Sequence, residues 1–171
     1  LPGFGESTKD FNAAYDIESQ VSRLKKFVDT LRLEKFHIAG NSMGGSISGV
    51  FSITYPDMVL TLALLDSSGV KSPDKSDFQK MIETGRNPLL VNSAEEYDNM
   101  LKMVFHEQPP IPSPVKRYLA SVSIESRPLR EKIMKDRKGL SSKLADNLDK
   151  LEMPVLILWG DKDRLIDVSC V

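Results

Sequence analysis

The stretch Phe36-His37-Ile38-Ala39-Gly40-Asn41-Ser42-Met43-Gly44-Gly45 decides how the rest of the chain reads. A short apolar run, Phe36 to Ala39, leads into Gly-x-Ser-x-Gly. A small, apolar, helix-like segment from Ser46 to Tyr55 follows at once. Glycines two before and two after a serine allow a very sharp strand-to-helix turn. The turn is strained, and a side chain at Gly40 or Gly44 is expected to collide with neighbouring backbone. It lifts the Ser42 hydroxyl clear of a sheet and aims the Met43 N–H at any oxyanion formed there. The helix behind Ser42 adds the positive end of its dipole.

Upstream, Ile17, Val21, Leu24, Val28 and Leu31 recur at helical spacing behind Asp16, a candidate N-cap. Downstream, Pro56 stops the second helix. The unbroken apolar run Leu60 to Leu65 predicts a strand buried on both faces of a parallel sheet. Asp66-Ser67-Ser68-Gly69 reads as a loop. From Val70 to Asp149 charge rises, prolines cluster at 109, 110, 112 and 114, and no strong strand appears. Tyr97, Met100, Leu101, Val104 and Phe105 form one helical stripe, and Val115, Tyr118, Leu119 and Val122 form another. A third helix is expected over Leu129 to Lys135. Met153 to Gly160 then reads as a second buried strand, with Asp161-Lys162-Asp163-Arg164 in the loop after it. The order strand, helix, strand, helical insertion, strand predicts an α/β fold on a parallel sheet. It divides the chain into core residues 1–69 with the serine turn, a helical cap or lid over 70–149, and core residues 150–171.

With 23 Lys and Arg against 24 Asp and Glu, interspersed, the chain offers neither a nucleic-acid surface nor a polybasic membrane patch. The lone Cys170 excludes a disulfide framework and, without a supporting histidine, reads as an inert thiol. Metal-ligand spacing and phosphate loops are absent from the sequence, so no metal or other cofactor is expected. No apolar run is long enough to span a bilayer. The chain starts inside a loop, Leu1-Pro2-Gly3-Phe4-Gly5-Glu6-Ser7, and stops at Cys170-Val171 in a segment still under way. Both ends look cut, so a fragment is expected and the compartment stays unread.

A serine nucleophile needs a base, and the base needs an orienting acid. The acid candidates are Asp66, Asp161, Asp163 and Asp167, which stand at or beyond the carboxyl ends of strands. His37 and His106 are the only histidines. His37 reads as a structural strand residue, and His106 as a surface or lid residue beside a Pro-rich turn. Neither follows Asp161, Asp163 or Asp167 in the chain, so the base is expected outside it. Met81, Met100 and Met103 suit an adaptable apolar lining, and the insertion's stripes could receive an acyl chain.

These blocks resemble the α/β-hydrolase fold family. Residues 1–7 look like the loop after the family's fourth strand. His37 to Gly45 look like its fifth strand and nucleophile elbow. Pro154 to Asp163 look like its seventh strand and acid loop. Asn87-Pro88-Leu89-Leu90 and Pro109-Pro110-Ile111-Pro112 are similar to monoacylglycerol-lipase-like members and bacterial triacylglycerol lipases. The resemblance implies a partial sheet of strands 5, 6 and 7 with a cap inserted after strand 6. It implies Ser42 as nucleophile, Asp163 as acid in Trp-Gly-x-x-Asp, Met43 as oxyanion donor, and Gly40 and Gly44 as elbow glycines. The implied activity is hydrolysis of small-molecule or lipid esters, with membrane contact only through the substrate. Carbon–carbon hydrolysis of meta-cleavage products, which needs several cations facing the serine, and a non-catalytic ligand-binding role are the alternatives. The family's third strand, which pairs with the elbow strand, is missing, so an open edge is expected there.

Overall fold

The computed structural model describes residues 1–137 and 142–171, so residues 138–141 of the expected insertion lie outside it. Helix α1 (Ile17–Thr30) starts where the Asp16 side chain accepts the Ser19 N–H at 2.8 Å. It buries Ile17, Val21 and Val28. Leu31, expected on that stripe, stands past the helix end and is exposed. Strand β1 (Phe36–Asn41) runs straight into α2 (Met43–Thr54), and a 3-10 turn, Pro56–Met58, leads to β2 (Val59–Leu65). Strand β3 (Val155–Leu158) completes a parallel sheet of order β1-β2-β3, with Gly40 beside Leu64 and Leu65 beside Leu158. Among the described residues β1 pairs with β2 alone, so its other edge is open as expected.

The main core forms where α2 packs on one face of this sheet and α1 packs against α2. Ile47, Val50 and Phe51 of α2 meet Leu62 and Leu64 of β2 and the α1 stripe. Phe51 is fully buried, with its ring 5.7 Å from Phe36 and 5.0 Å from Tyr55. The expectation that the strands after the elbow are buried on both faces is corrected here. Leu60 is exposed, and all four residues of β3 are exposed, Leu156 by 54%. A parallel sheet needs helices on both faces to bury its strands. Along β1, partly buried Phe36 and Ile38 pack against the core while His37, Ala39 and Asn41 are exposed.

Between β2 and β3 lie α3 (Asp77–Glu83), α4 (Ala94–Val104), α5 (Ser113–Glu125), α6 (Arg127–Asp136) and α7 (Ser142–Ala145). Pro114 sits in the first turn of α5, where its missing N–H leaves no helical bond unmade. Tyr97 and Leu101 of α4 pack with Val91 and Ala120 in a second cluster. The expected stripe Val115, Tyr118, Leu119 and Val122 faces outward instead, with Tyr118 66% exposed. The close-packed side of α5 is made by small residues, Ala120 and Ser123, which hydrophobic periodicity overlooks. Tyr15, Leu129 and Ile133 form a third cluster, and the Tyr15 N–H donates to the Asp136 carboxylate at 3.0 Å. The N-terminal loop is thereby docked on α6. Leu144 of α7 is buried in the main core against Gly49.

In the full-length protein, Phe51→Ala should cost about 3–5 kcal/mol in urea unfolding. Val115→Ala, on the outward face of α5, should change stability by less than about 0.5 kcal/mol. A similar loss at both positions would contradict this assignment of the core.

Candidate active site

Ser42 occupies the single residue between β1 and α2, at φ 52° and ψ −120°. That backbone costs a non-glycine residue about 1–3 kcal/mol and persists only where its surroundings hold it. Here they do. The Ser42 N–H extends the sheet ladder to the Leu65 carbonyl at 3.0 Å. The Ser42 carbonyl accepts the N–H groups of Gly45 and Ser68, both at 3.0 Å, and the Ser68 hydroxyl at 3.3 Å. The turn folds so tightly that a Cβ on Gly40 would overlap the Gly44 carbonyl and lie 2.6 Å from the Gly45 nitrogen. Gly44 itself has open space where a Cβ would go, which corrects the expected collision there. The second crowded glycine is Gly45, where a Cβ would approach the Ser67 Cβ to 2.7 Å. Met43 opens α2, a position where the helix has no carbonyl for its N–H. Its side chain packs against the main core.

The loop after β3 holds Asp163 by its own backbone. One carboxylate oxygen, Oδ1, accepts the N–H groups of Leu165 at 2.7 Å and Ile166 at 3.1 Å. The other, Oδ2, makes no hydrogen bond among the described residues. The loop is tied to the helical insertion as well. Arg164 donates to the Asp77 carboxylate at 2.9 Å and to the Lys102 carbonyl at 3.2 Å. Ser76 donates to the Leu165 carbonyl at 2.9 Å, and the Trp159 indole to Ile166 at 3.0 Å. The Arg164 guanidinium beside Asp77 holds that carboxyl below its usual range.

The other acid candidates have different surroundings. Asp66, at φ 44°, accepts the Gly160 N–H on Oδ1 at 2.8 Å and straps the end of β2 to the acid loop. Asp161 makes no hydrogen bond among the described residues. Asp167 accepts the Ser169 N–H at 2.9 Å, which holds its carboxyl below the usual range. Cys170 is half-buried, and burial pushes its thiol up, away from reactivity.

Two cavities border Ser42. One, of about 380 Å³, is shared with Asp66, His106, Asp161, Lys162 and Asp163. The serine and the acid loop are therefore brought together. His106 reaches the same cavity, where its Nε2 lies 3.2 Å from the Lys162 ammonium. A neutral imidazole accepting from Lys162 has that nitrogen occupied. His37 stays on the strand, its Nδ1 2.7 Å from the Thr61 hydroxyl. The second cavity, of about 210 Å³, is lined by Phe78, Leu89, Met134, Leu165 and Ile166 together with Ser68 and Arg137. The expected methionines Met81, Met100 and Met103 do converge, but on a separate cavity of about 410 Å³ that Ser42 does not border. Ser68, the Asp66 strap, Arg137 and Arg164 escaped the sequence reading. Only the Asp-Ser-Ser-Gly run after an apolar strand hinted at the first two.

Residues 1–169 match a family described as "alpha/beta hydrolase fold". The chain is similar to Lipase 3 of Moraxella sp. (strain TA144), 34% identical over 97% of this chain and 53% of that protein. It is similar to the human monoacylglycerol lipase ABHD6, 31% identical over 99% of this chain and 53% of the enzyme. Among solved structures it is similar to a membrane phospholipase A described as a bacterial virulence factor. That likeness has a TM-score of 0.96 and 40% identity, covering 99% of this chain and 55% of the other. The chain thus spans about half the length of the curated relatives it matches. The strand–serine–helix turn, the parallel sheet and the match over 1–169 agree: the chain belongs to the family of the alpha/beta hydrolase fold.

Proposed function

We propose that the protein containing these residues is a serine hydrolase of carboxylic esters, acting first on lipid esters of the monoacylglycerol kind. The observation that carries this reading is Ser42, held at φ 52° on the same cavity as Asp163. The descriptions of the relatives, a lipase and a monoacylglycerol lipase, support a lipid ester as substrate.

In this reading the Ser42 hydroxyl attacks the ester carbonyl and gives its proton to a histidine outside this chain. Asp163 orients that histidine through Oδ2, the oxygen its own loop leaves free. The developing oxyanion is held by the Met43 N–H and a second donor, also outside the chain, aided by the α2 dipole. Collapse of the tetrahedral intermediate passes the proton to the departing alcohol and leaves an acyl-enzyme. Water, deprotonated by the same base, releases the acid and restores Ser42. His37 is on the strand with its Nδ1 engaged, and His106 faces the Lys162 cation, so neither serves as the base. Residues 70–149 act as a cap whose Phe78, Leu89 and Met134 supply apolar wall beside the serine.

These 171 residues by themselves should not turn over a short-chain nitrophenyl ester, because the base is missing. In the full-length protein, Ser42→Ala should abolish labelling by a fluorophosphonate probe. Persistent labelling would move the nucleophile elsewhere, and an unlabelled wild-type protein would favour a non-catalytic binding role. Asp163→Asn should lower kcat by about 10⁴-fold. Asp66→Asn keeps an oxygen for the Gly160 N–H and should retain activity within about tenfold, since one neutral hydrogen bond is worth about 1 kcal/mol. The reverse order of losses would transfer the acid role to Asp66.

A further inference from the structure

Arg137, the residue that ends α6, borders the 210 Å³ cavity beside Ser42. Its surroundings there are mostly apolar. Nη2 donates to the Ser68 hydroxyl at 3.3 Å, and that hydroxyl in turn donates to the Ser42 carbonyl. The guanidinium is therefore one side chain away from the nucleophile's own backbone. Nε is fully buried without a hydrogen-bond partner. Among the described residues no carboxylate forms an ion pair with Arg137. On the same helix Lys132 pairs with Asp136 and Arg127 with Glu131. Burial pulls Arg137 below the ordinary arginine range. One guanidinium N–H has thus given up water with no partner in exchange, and an oxyanion seated in the cavity would answer the charge.

We propose that Arg137 receives an anionic group, phosphate or carboxylate, on an amphiphilic ester whose apolar part fills the cavity beside Ser42. This rests on the serine ester hydrolase reading and narrows its substrate class to esters with an oxyanion near the scissile bond. The guanidinium suits that role, because its planar N–H groups match the oxygens of either anion. Phe78, Leu89 and Met134 hold the alkyl part, and Ser68 keeps the guanidinium in line with the elbow.

The test is calorimetric binding to the full-length protein carrying Ser42→Ala, so that no turnover interferes. Hexyl phosphate should bind at least about tenfold more tightly than hexanol, the gain expected of a charged hydrogen bond. It should also bind at least about tenfold more tightly than inorganic phosphate, which leaves the apolar wall unused. Adding Arg137→Gln should erase the preference for hexyl phosphate over hexanol, and Arg137→Lys should restore part of it. Equal binding of hexyl phosphate and hexanol, or a preference that survives Arg137→Gln, overturns the proposal. Equal binding of inorganic and hexyl phosphate overturns the amphiphile assignment. Ser68→Ala should leave most of the preference. If it erases the preference as fully as Arg137→Gln does, the arginine only props the elbow. Should Arg137→Gln not fold, hexyl phosphate against hexyltrimethylammonium decides, and tighter binding of the cation overturns the proposal. Fluorophosphonate labelling of Ser42 in the wild-type protein reports separately on the hydrolase reading.

Discussion

The structure depends on one close approach of backbone to backbone. At the end of β1 the chain must reverse into α2 within one residue, and it does so by bringing the Gly44 carbonyl against the Cα of Gly40. No side chain fits there. That contact forces Ser42 into the left-handed region, with its hydroxyl beyond the carboxyl end of the sheet. The strain is tolerated because five hydrogen bonds to β2, α2 and the Ser68 loop hold the turn. The buried face of α2, centred on Phe51, anchors the far side. Sheet, helix and loop are thus all committed to placing one hydroxyl.

The remaining parts of the site come from the carboxyl ends of the neighbouring strands. β2 ends in Asp66, whose carboxylate strap on Gly160 links it to the loop after β3. That loop carries Asp163, and Arg164 beside it ties the loop to α3 and α4 of the insertion. The loop after β3 is therefore tied to both the neighbouring strand and the helical insertion. The cavities beside Ser42 lie between these parts, and residues 70–137 make their outer walls.

Much of the fold was legible because its signals are local. Asp16 followed by apolar residues at helical spacing marked α1, and its side chain does cap the helix. The glycine-flanked Ser42 marked the turn, and Gly40 is crowded as expected. Other readings failed for reasons that are not local. Gly44 lies in the first turn of α2 at ordinary φ with room for a Cβ, so the close approach constrains Gly40 and not Gly44. Val115, Tyr118, Leu119 and Val122 have the spacing of a buried stripe but face outward, because α5 packs through Ala120 and Ser123. The apolar run of β3 promised burial, yet burial requires a covering layer, and its four residues are exposed. The Asp163 region was visible as an acidic loop after a strand, but Asp66, Asp161 and Asp167 stood equally there, and of the four only Asp167 lies off the cavity beside Ser42.

Sequence alone determined the strand–turn–helix at Ser42, the parallel α/β class and the helical insertion. Each rests on the conformational limits of neighbouring residues: glycine spacing, proline stops and apolar period. Only the tertiary structure brought Asp66, Asp161 and Asp163 to one cavity with Ser42 and left Asp167 off it. Only it placed the Arg137 guanidinium beside a serine 95 positions earlier in the chain. Such relations depend on distances between segments far apart in sequence, and packing sets those distances.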